Sequence, residues 1–103
     1  MIEESGEKLS VNGKTIEELA ESFDTPLYIY DQEKIREKIS RIQEEFSDHT
    51  ENFDLHYAVK ANNNPKILET VHESGAGFDC ASKWEIKLAL ESGADPEDII
   101  YTC

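Results

Sequence analysis

Cysteines, basic residues and long apolar runs are all scarce in this chain. Its two cysteines, Cys80 and Cys103, are far apart, which argues against a disulfide framework or a thiolate zinc site and fits a reducing compartment. Residues 1–10 are acidic and contain no apolar segment typical of a secretory signal. No apolar run approaches the roughly 18 residues of a membrane span. We therefore expect a cytoplasmic protein without a metal site or a membrane partner.

Positive charge is outweighed, since 10 basic residues stand against 23 acidic ones and the formal net charge is −13. Such a surface repels nucleic acid, so we expect no nucleic-acid partner and instead a small or cationic ligand. Adaptation to high salt would produce the same composition. The 103 residues suffice for one small domain, whereas a closed (β/α)₈ barrel needs roughly 250 residues.

Residues 1–30 form an N-terminal segment with clear local signals. The pair Asn12–Gly13 is typical of a tight turn. Thr15 followed by Glu18 predicts a capping box that opens a short helix. The run Leu27–Tyr30 is rich in residues that favour strands and predicts a short strand.

Residues 31–103 alternate predicted strands and helices. Asp31 is placed to cap a long helix, whose apolar face is formed by residues spaced three and four apart. This face consists of Ile35, Ile39, Ile42 and Phe46. The later elements are a strand at 53–60, a helix opened by Asn64 and Pro65, a strand at 77–81, a helix with a Ser82–Glu85 capping box, and a strand from Ile99. Gly75 and Gly93 are placed to end the two helices. This order predicts an α/β fold with right-handed βαβ units and a parallel sheet.

The strand predicted at 53–60 carries the first candidate for chemistry. Side chains alternate between the faces of a strand, so His56, Ala58 and Lys60 would share one face. Lys60 would then lie at the carboxyl end of the strand, the end at which barrel active sites lie. A partly desolvated lysine at this end could serve as a Schiff-base amine. The simpler interpretation is a surface lysine at a strand end.

Two motifs resemble the fold-type III pyridoxal phosphate (PLP) decarboxylases, the ornithine, diaminopimelate and arginine decarboxylases with an alanine-racemase-like barrel. The motifs are Tyr-Ala-Val-Lys-Ala-Asn at 57–62 and Gly-Ala-Gly-Phe-Asp-Cys-Ala-Ser-Lys-Trp-Glu-Ile at 75–86. The segment at 25–31 also resembles the family's entry into the barrel. The resemblance implies that residues 31–103 are the first βα units of a partial (β/α)₈ TIM barrel, the N-terminal portion of a PLP-binding domain. It also implies a homodimer when the protein is full length.

Within this resemblance, Lys60 takes the role of the catalytic lysine that binds PLP. Asp79 matches an acidic position that could stabilise the cationic form of the bound lysine, although it could also only accept backbone hydrogen bonds. Glu85 matches the family's glutamate but already has a role in capping a helix. Ala58 resembles the small residue beneath the cofactor ring, and small size there is also ordinary barrel packing.

The implied activity is decarboxylation of a basic or diamino acid of the ornithine, diaminopimelate and arginine class, with release of CO₂ and an amine. The segment at 19–30 resembles diaminopimelate decarboxylases, whereas the motif at 78–83 is more similar to ornithine decarboxylases, which we favour slightly. The alternatives are an alanine-racemase-like PLP protein, an inactive homologue that acts as a binding protein, and a small independent α/β domain.

Overall fold

The computed structural model describes residues 2–103. The chain divides into two compact units, Met1–Lys34 and Ile35–Cys103. Among residues 2–103, no helix is both long enough and apolar enough to cross a membrane.

The first unit contains a small antiparallel sheet followed by a helix. Its elements are β1 (Ile2–Ser5), β2 (Lys8–Val11), β3 (Lys14–Thr15) and α1 (Ile16–Phe23), with sheet order β1-β2-β3. The tight turn predicted at Asn12–Gly13 is confirmed, because these residues join β2 to β3 with φ values of 51° and 83°. The capping box is also confirmed, since Thr15 Oγ1 accepts from the Glu18 N–H at 3.2 Å and Glu18 Oε2 accepts from the Thr15 N–H at 3.4 Å.

Two features of the first unit differ from the sequence prediction. The three short strands were not predicted, because their exposed polar residues give little apolar alternation. The strand predicted at Leu27–Tyr30 is wrong, since this segment is irregular. Favourable β propensity does not form a strand without a neighbouring strand to pair with.

The second unit is a parallel sheet with its helices and turns, preceded by a long helix. In chain order its elements are α2 (Gln32–Ser47, entering from the first unit), β4 (His56–Ala58), a 3₁₀ turn (Val59–Ala61), α3 (Pro65–Glu73), β5 (Gly77–Cys80), α4 (Lys83–Glu91), a 3₁₀ turn (Pro96–Asp98) and β6 (Ile99–Tyr101). The sheet order is β4-β5-β6, and both pairings are parallel. The predicted α/β class and parallel sheet are confirmed.

Most helix ends lie where the local signals predicted them. The Asp31 carboxylate accepts from the Lys34 N–H at 3.2 Å and caps α2. The Asn64 side chain accepts from the Lys66 N–H at 2.9 Å, and Pro65 is the first residue of α3. Gly75 and Gly93 follow α3 and α4 with positive φ values, a conformation that favours glycine.

The core of the second unit lies between one face of the sheet and the helices. Phe78 and Cys80 on β5 are fully buried on this face, together with side chains from α3 and α4. The predicted apolar face of α2 is only partly used, since Ile39 is buried whereas Ile42 and Phe46 are exposed. The opposite face of the sheet is therefore the one available for a site.

Candidate functional site

A cleft of about 380 Å³ opens at the carboxyl ends of β4, β5 and β6. We call it the Lys60 cleft. Its lining residues are Ala58, Lys60, Asp79, Ala81, Glu85, Thr102 and Cys103. The structure thus brings together all four residues singled out from the sequence, on the side of a parallel sheet where α/β proteins bind ligands.

Strand register explains how the floor of the cleft is built. Ala58 on β4 pairs with Asp79 on β5, and Asp79 pairs with Ile100 on β6. Paired residues in a sheet point to the same face, so these three side chains form one row across the sheet. Ala58, the partner of Asp79 on β4, has only a methyl group as its side chain, which leaves space above the strand.

Lys60 reaches the cleft from a turn and not from a strand. The ladder between β4 and β5 ends at Ala58, and the chain then enters the 3₁₀ turn, which Asn62 N–H closes by donating to the Val59 carbonyl at 3.1 Å. The Tyr57 hydroxyl adds a bond to the Asn62 carbonyl at 3.0 Å. The strand predicted at 53–60 was therefore too long, and the alternation argument for Lys60 was wrong. Lys60 is exposed within residues 2–103.

The Asp79 carboxylate is held by a side chain from the neighbouring strand end. Its Oδ1 accepts from the Thr102 hydroxyl at 2.5 Å. The Thr102 N–H donates to the Cys80 carbonyl at 2.9 Å, which fixes the backbone of this segment against β5. The donor that holds Asp79 is thus a side-chain hydroxyl and not a backbone N–H.

Glu85 is held by the backbone at the start of α4. Ser82 Oγ accepts from the Glu85 N–H at 3.2 Å, so the predicted cap by Ser82 is confirmed. Glu85 Oε1 accepts from the N–H of Ala81 at 2.9 Å, one residue earlier than in the predicted capping box. The half-buried carboxylate therefore joins the helix start to the floor of the cleft.

Cys80 lies between two cleft residues in the sequence, Asp79 and Ala81, but its own side chain faces the core. Strand alternation places it opposite Asp79, and it is fully buried. Burial raises the pKa of the Cys80 thiol, and the negative charges of Glu85 and Asp79 raise it further. A buried protonated thiol acts as a small apolar side chain.

Two lining residues, Thr102 and Cys103, were not singled out from the sequence. Strand alternation had already placed Ala81 on the same face as Asp79, and alternation along β6 would have placed Thr102 on the same face as Ile100. Cys103 carried no usable signal. Among residues 2–103 there is no group of three or more His, Cys, Asp or Glu side chains that could hold a metal ion.

The donor set of the Lys60 cleft fits one end of PLP. A primary amine is the group that condenses with an aldehyde, and the alanines at 58 and 81 leave room for a flat ring. The volume lies within the usual range of small-molecule sites, about 300–1,000 Å³. The charged groups are one ammonium and two carboxylates, which do not suit a phosphate. The residues of the cleft thus fit the aldehyde end of PLP, and the phosphate would need other donors.

Comparison with known proteins finds relatives that are named as amino-acid decarboxylases. Diaminopimelate decarboxylase of Thermoplasma acidophilum is 40% identical over 93 residues, which are 90% of this chain and 22% of that protein. A crystal structure of diaminopimelate decarboxylase from M. jannaschii matches 98% of this chain and 24% of its own, with a TM-score of 0.92 and 31% identity. Lysine/ornithine decarboxylase from Vibrio vulnificus, complexed with putrescine, matches 84% of this chain and 23% of its own, with a TM-score of 0.71 and 31% identity.

The chain thus spans less than a quarter of the length of these relatives. The sequence model described as "Pyridoxal-dependent decarboxylase, pyridoxal binding domain" matches residues 32–103. This match confirms the predicted family, the partial barrel and PLP as the cofactor. The chain belongs to the pyridoxal-dependent decarboxylase family and contains the N-terminal part of its pyridoxal binding domain.

Proposed function

We propose that the full-length protein is a PLP-dependent decarboxylase of diamino acids and that its substrate is diaminopimelate. The observation that carries the proposal is the Lys60 cleft, in which one lysine amine and two carboxylates meet at the carboxyl ends of parallel strands. The names of the relatives support the choice of substrate. At equal identity, the diaminopimelate enzyme also matches more of the chain than the lysine/ornithine enzyme does. These comparisons outweigh the slight preference for ornithine that the motif at 78–83 suggested.

The four cleft residues singled out from the sequence each have a proposed role. Lys60 would hold PLP covalently through Nζ, and Ala58 would leave space beneath the ring. The Asp79 and Glu85 carboxylates would favour positive charge in the cleft, both on the Lys60 amine and on the amino groups of a diamino acid. The exposed position of Lys60 lets its amine reach the cofactor and withdraw from it without rearrangement of the core.

When bound, PLP serves as an electron sink for the electron pair left behind as a carboxylate departs as CO₂. Removal of one carboxylate from diaminopimelate as CO₂, with a proton taken up at the same carbon, gives lysine. We expect the residues that bind the phosphate and determine substrate specificity to lie outside the Lys60 cleft. Homodimerisation and a cytoplasmic location are further parts of this proposal. The first rests on the family resemblance, and the second rests on the cysteine usage of the sequence.

The covalent role of Lys60 can be tested by trapping. The full-length protein is loaded with PLP, reduced with borohydride, digested and mapped by mass spectrometry. We expect the pyridoxyl group on Lys60, loss of that label in Lys60→Ala, and full labelling in Lys83→Ala, a matched exposed lysine outside the cleft. Label on a lysine other than Lys60 in the wild-type protein would overturn the assignment.

The substrate is tested by CO₂ release from diaminopimelate, ornithine, lysine and arginine at equal concentration. We expect the highest kcat/KM for diaminopimelate, with lysine as the product detected by chromatography. A higher kcat/KM for ornithine would overturn the proposed substrate and keep the reaction class. No release from any of the four, in a protein that still binds PLP at Lys60, would favour a binding protein.

A further inference from the structure

We propose that Thr102 positions the Asp79 carboxylate in the Lys60 cleft and thereby sets the affinity of the protein for PLP. This inference rests on the proposed role of Lys60. Thr102 does not belong to either motif that carries the family resemblance. The geometry nevertheless ties it directly to a charged group of the site, through the 2.5 Å bond between its hydroxyl and Asp79 Oδ1.

The two carboxylates of the cleft are held in different ways. Glu85 accepts from a backbone N–H, that of Ala81, and no side-chain substitution at residue 81 other than proline removes such a donor. Asp79 accepts from the Thr102 side chain, so its orientation depends on one hydroxyl. Among residues 2–103, the hydroxyl of Thr102 is the group that donates a hydrogen bond to the Asp79 carboxylate.

Thr102 is well suited to fix another side chain. Its N–H is bonded to the Cys80 carbonyl at 2.9 Å, so its backbone is tied to β5 immediately after Asp79. Threonine is branched at Cβ and has few χ1 rotamers, so the hydroxyl is directed with little loss of side-chain entropy. The bond therefore joins two neighbouring strand ends across the cleft.

The orientation of Asp79 matters because the attraction between a carboxylate and a cation depends on the distance between them. Asp79 and Lys60 line the same cleft, and Coulomb attraction weakens as the separation grows. Without the hydroxyl, the half-buried Asp79 side chain would be free to turn toward water. The positive charge on the cofactor-bound lysine would then lose part of its stabilisation, and PLP would dissociate more readily.

The test uses the full-length protein with four variants: Thr102→Val, Thr102→Ser, Asp79→Ala and the double variant Thr102→Val/Asp79→Ala. PLP affinity is measured by absorbance titration, and the fraction of Lys60 trapped by borohydride is measured at a fixed PLP concentration. Loss of a hydrogen bond to a charged group predicts that Thr102→Val weakens PLP binding about tenfold. Serine keeps the hydroxyl, so Thr102→Ser should remain within roughly twofold of wild type.

The double variant separates positioning from general damage. If Thr102 acts through Asp79, Thr102→Val adds nothing to the loss caused by Asp79→Ala. A purely structural effect would instead add to it and would not be rescued by serine. If Thr102→Val does not fold, Thr102→Ala provides the same cycle, since residue 102 is exposed.

The outcomes also separate this inference from the proposed function. Wild-type protein that does not trap PLP at Lys60 would refute the proposed function itself. Wild-type trapping with equal PLP affinity in Thr102→Val would overturn the positioning role alone. Additive losses in the double variant would overturn it in the same way.

Discussion

Glu85 lies where a helix start meets the Lys60 cleft, so its removal tests how the cleft is built. In Glu85→Ala the Ala81 N–H loses its acceptor at 2.9 Å, and the first turn of α4 loses a negative charge. A hydrogen bond to a charged group contributes about 1.5–3 kcal/mol, and a charge at a helix end about 0.3–1 kcal/mol. Glu85 is only half-buried, and water replaces part of the lost bond, so we expect a net loss of about 1–2 kcal/mol.

Glu91 provides a matched control in the same helix. It is exposed and lies in the last turn of α4, where its negative charge opposes the helix dipole. Glu91→Ala should therefore leave the free energy of unfolding unchanged or raise it by up to about 0.5 kcal/mol. Glu85→Gln keeps an acceptor oxygen but loses the charge, and it should fall between Glu85→Ala and wild type.

The measurement is urea denaturation of the PLP-free full-length protein, followed by circular dichroism, with all variants at the same pH and salt. Exchange of the Ala81 amide hydrogen, followed by mass spectrometry of the peptide that contains it, reports the same bond locally. Equal stability of Glu85→Ala and Glu91→Ala, with unchanged exchange at Ala81, would refute the role of this carboxylate in joining helix and cleft.

Signals with a local physical cause were predicted well from the sequence. The caps at Thr15, Asp31 and Asn64 each use a side chain that bonds to a backbone N–H two or three residues away. The helix ends at Gly75 and Gly93 need a backbone conformation that glycine adopts at low cost. Such features depend on a few adjacent residues, so sequence alone suffices to place them.

Features that depend on distant pairing were not predicted. The end of β4 at Ala58 is set by its ladder with β5, about twenty positions later in the chain, so Lys60 was placed on a strand instead of a turn. The bond between Thr102 and Asp79 spans 23 positions and has no periodic signature. Lys60 and Asp79 were found through their motifs, whereas the residue that holds Asp79 required the structure.

Two further predictions concern the buried face of the sheet. Phe78→Ala should lower the free energy of unfolding by about 3–5 kcal/mol because Phe78 is fully buried. Phe46 is 54% exposed, so Phe46→Ala should lower it by roughly 1–2 kcal/mol. Equal losses in urea denaturation would contradict this location of the core. The second concerns pH: burial, and then the charges of nearby carboxylates, raise the pKa of the Cys80 thiol in the folded state. Above the unfolded thiol pKa of about 8.5, the unfolded chain loses this proton while the folded chain keeps it, so stability falls as pH rises, by at most about 1.4 kcal/mol per pH unit. Cys80→Ala should flatten this decline, and Cys103→Ala, at an exposed thiol, should leave it unchanged. An unchanged slope in Cys80→Ala would show that other groups cause the decline.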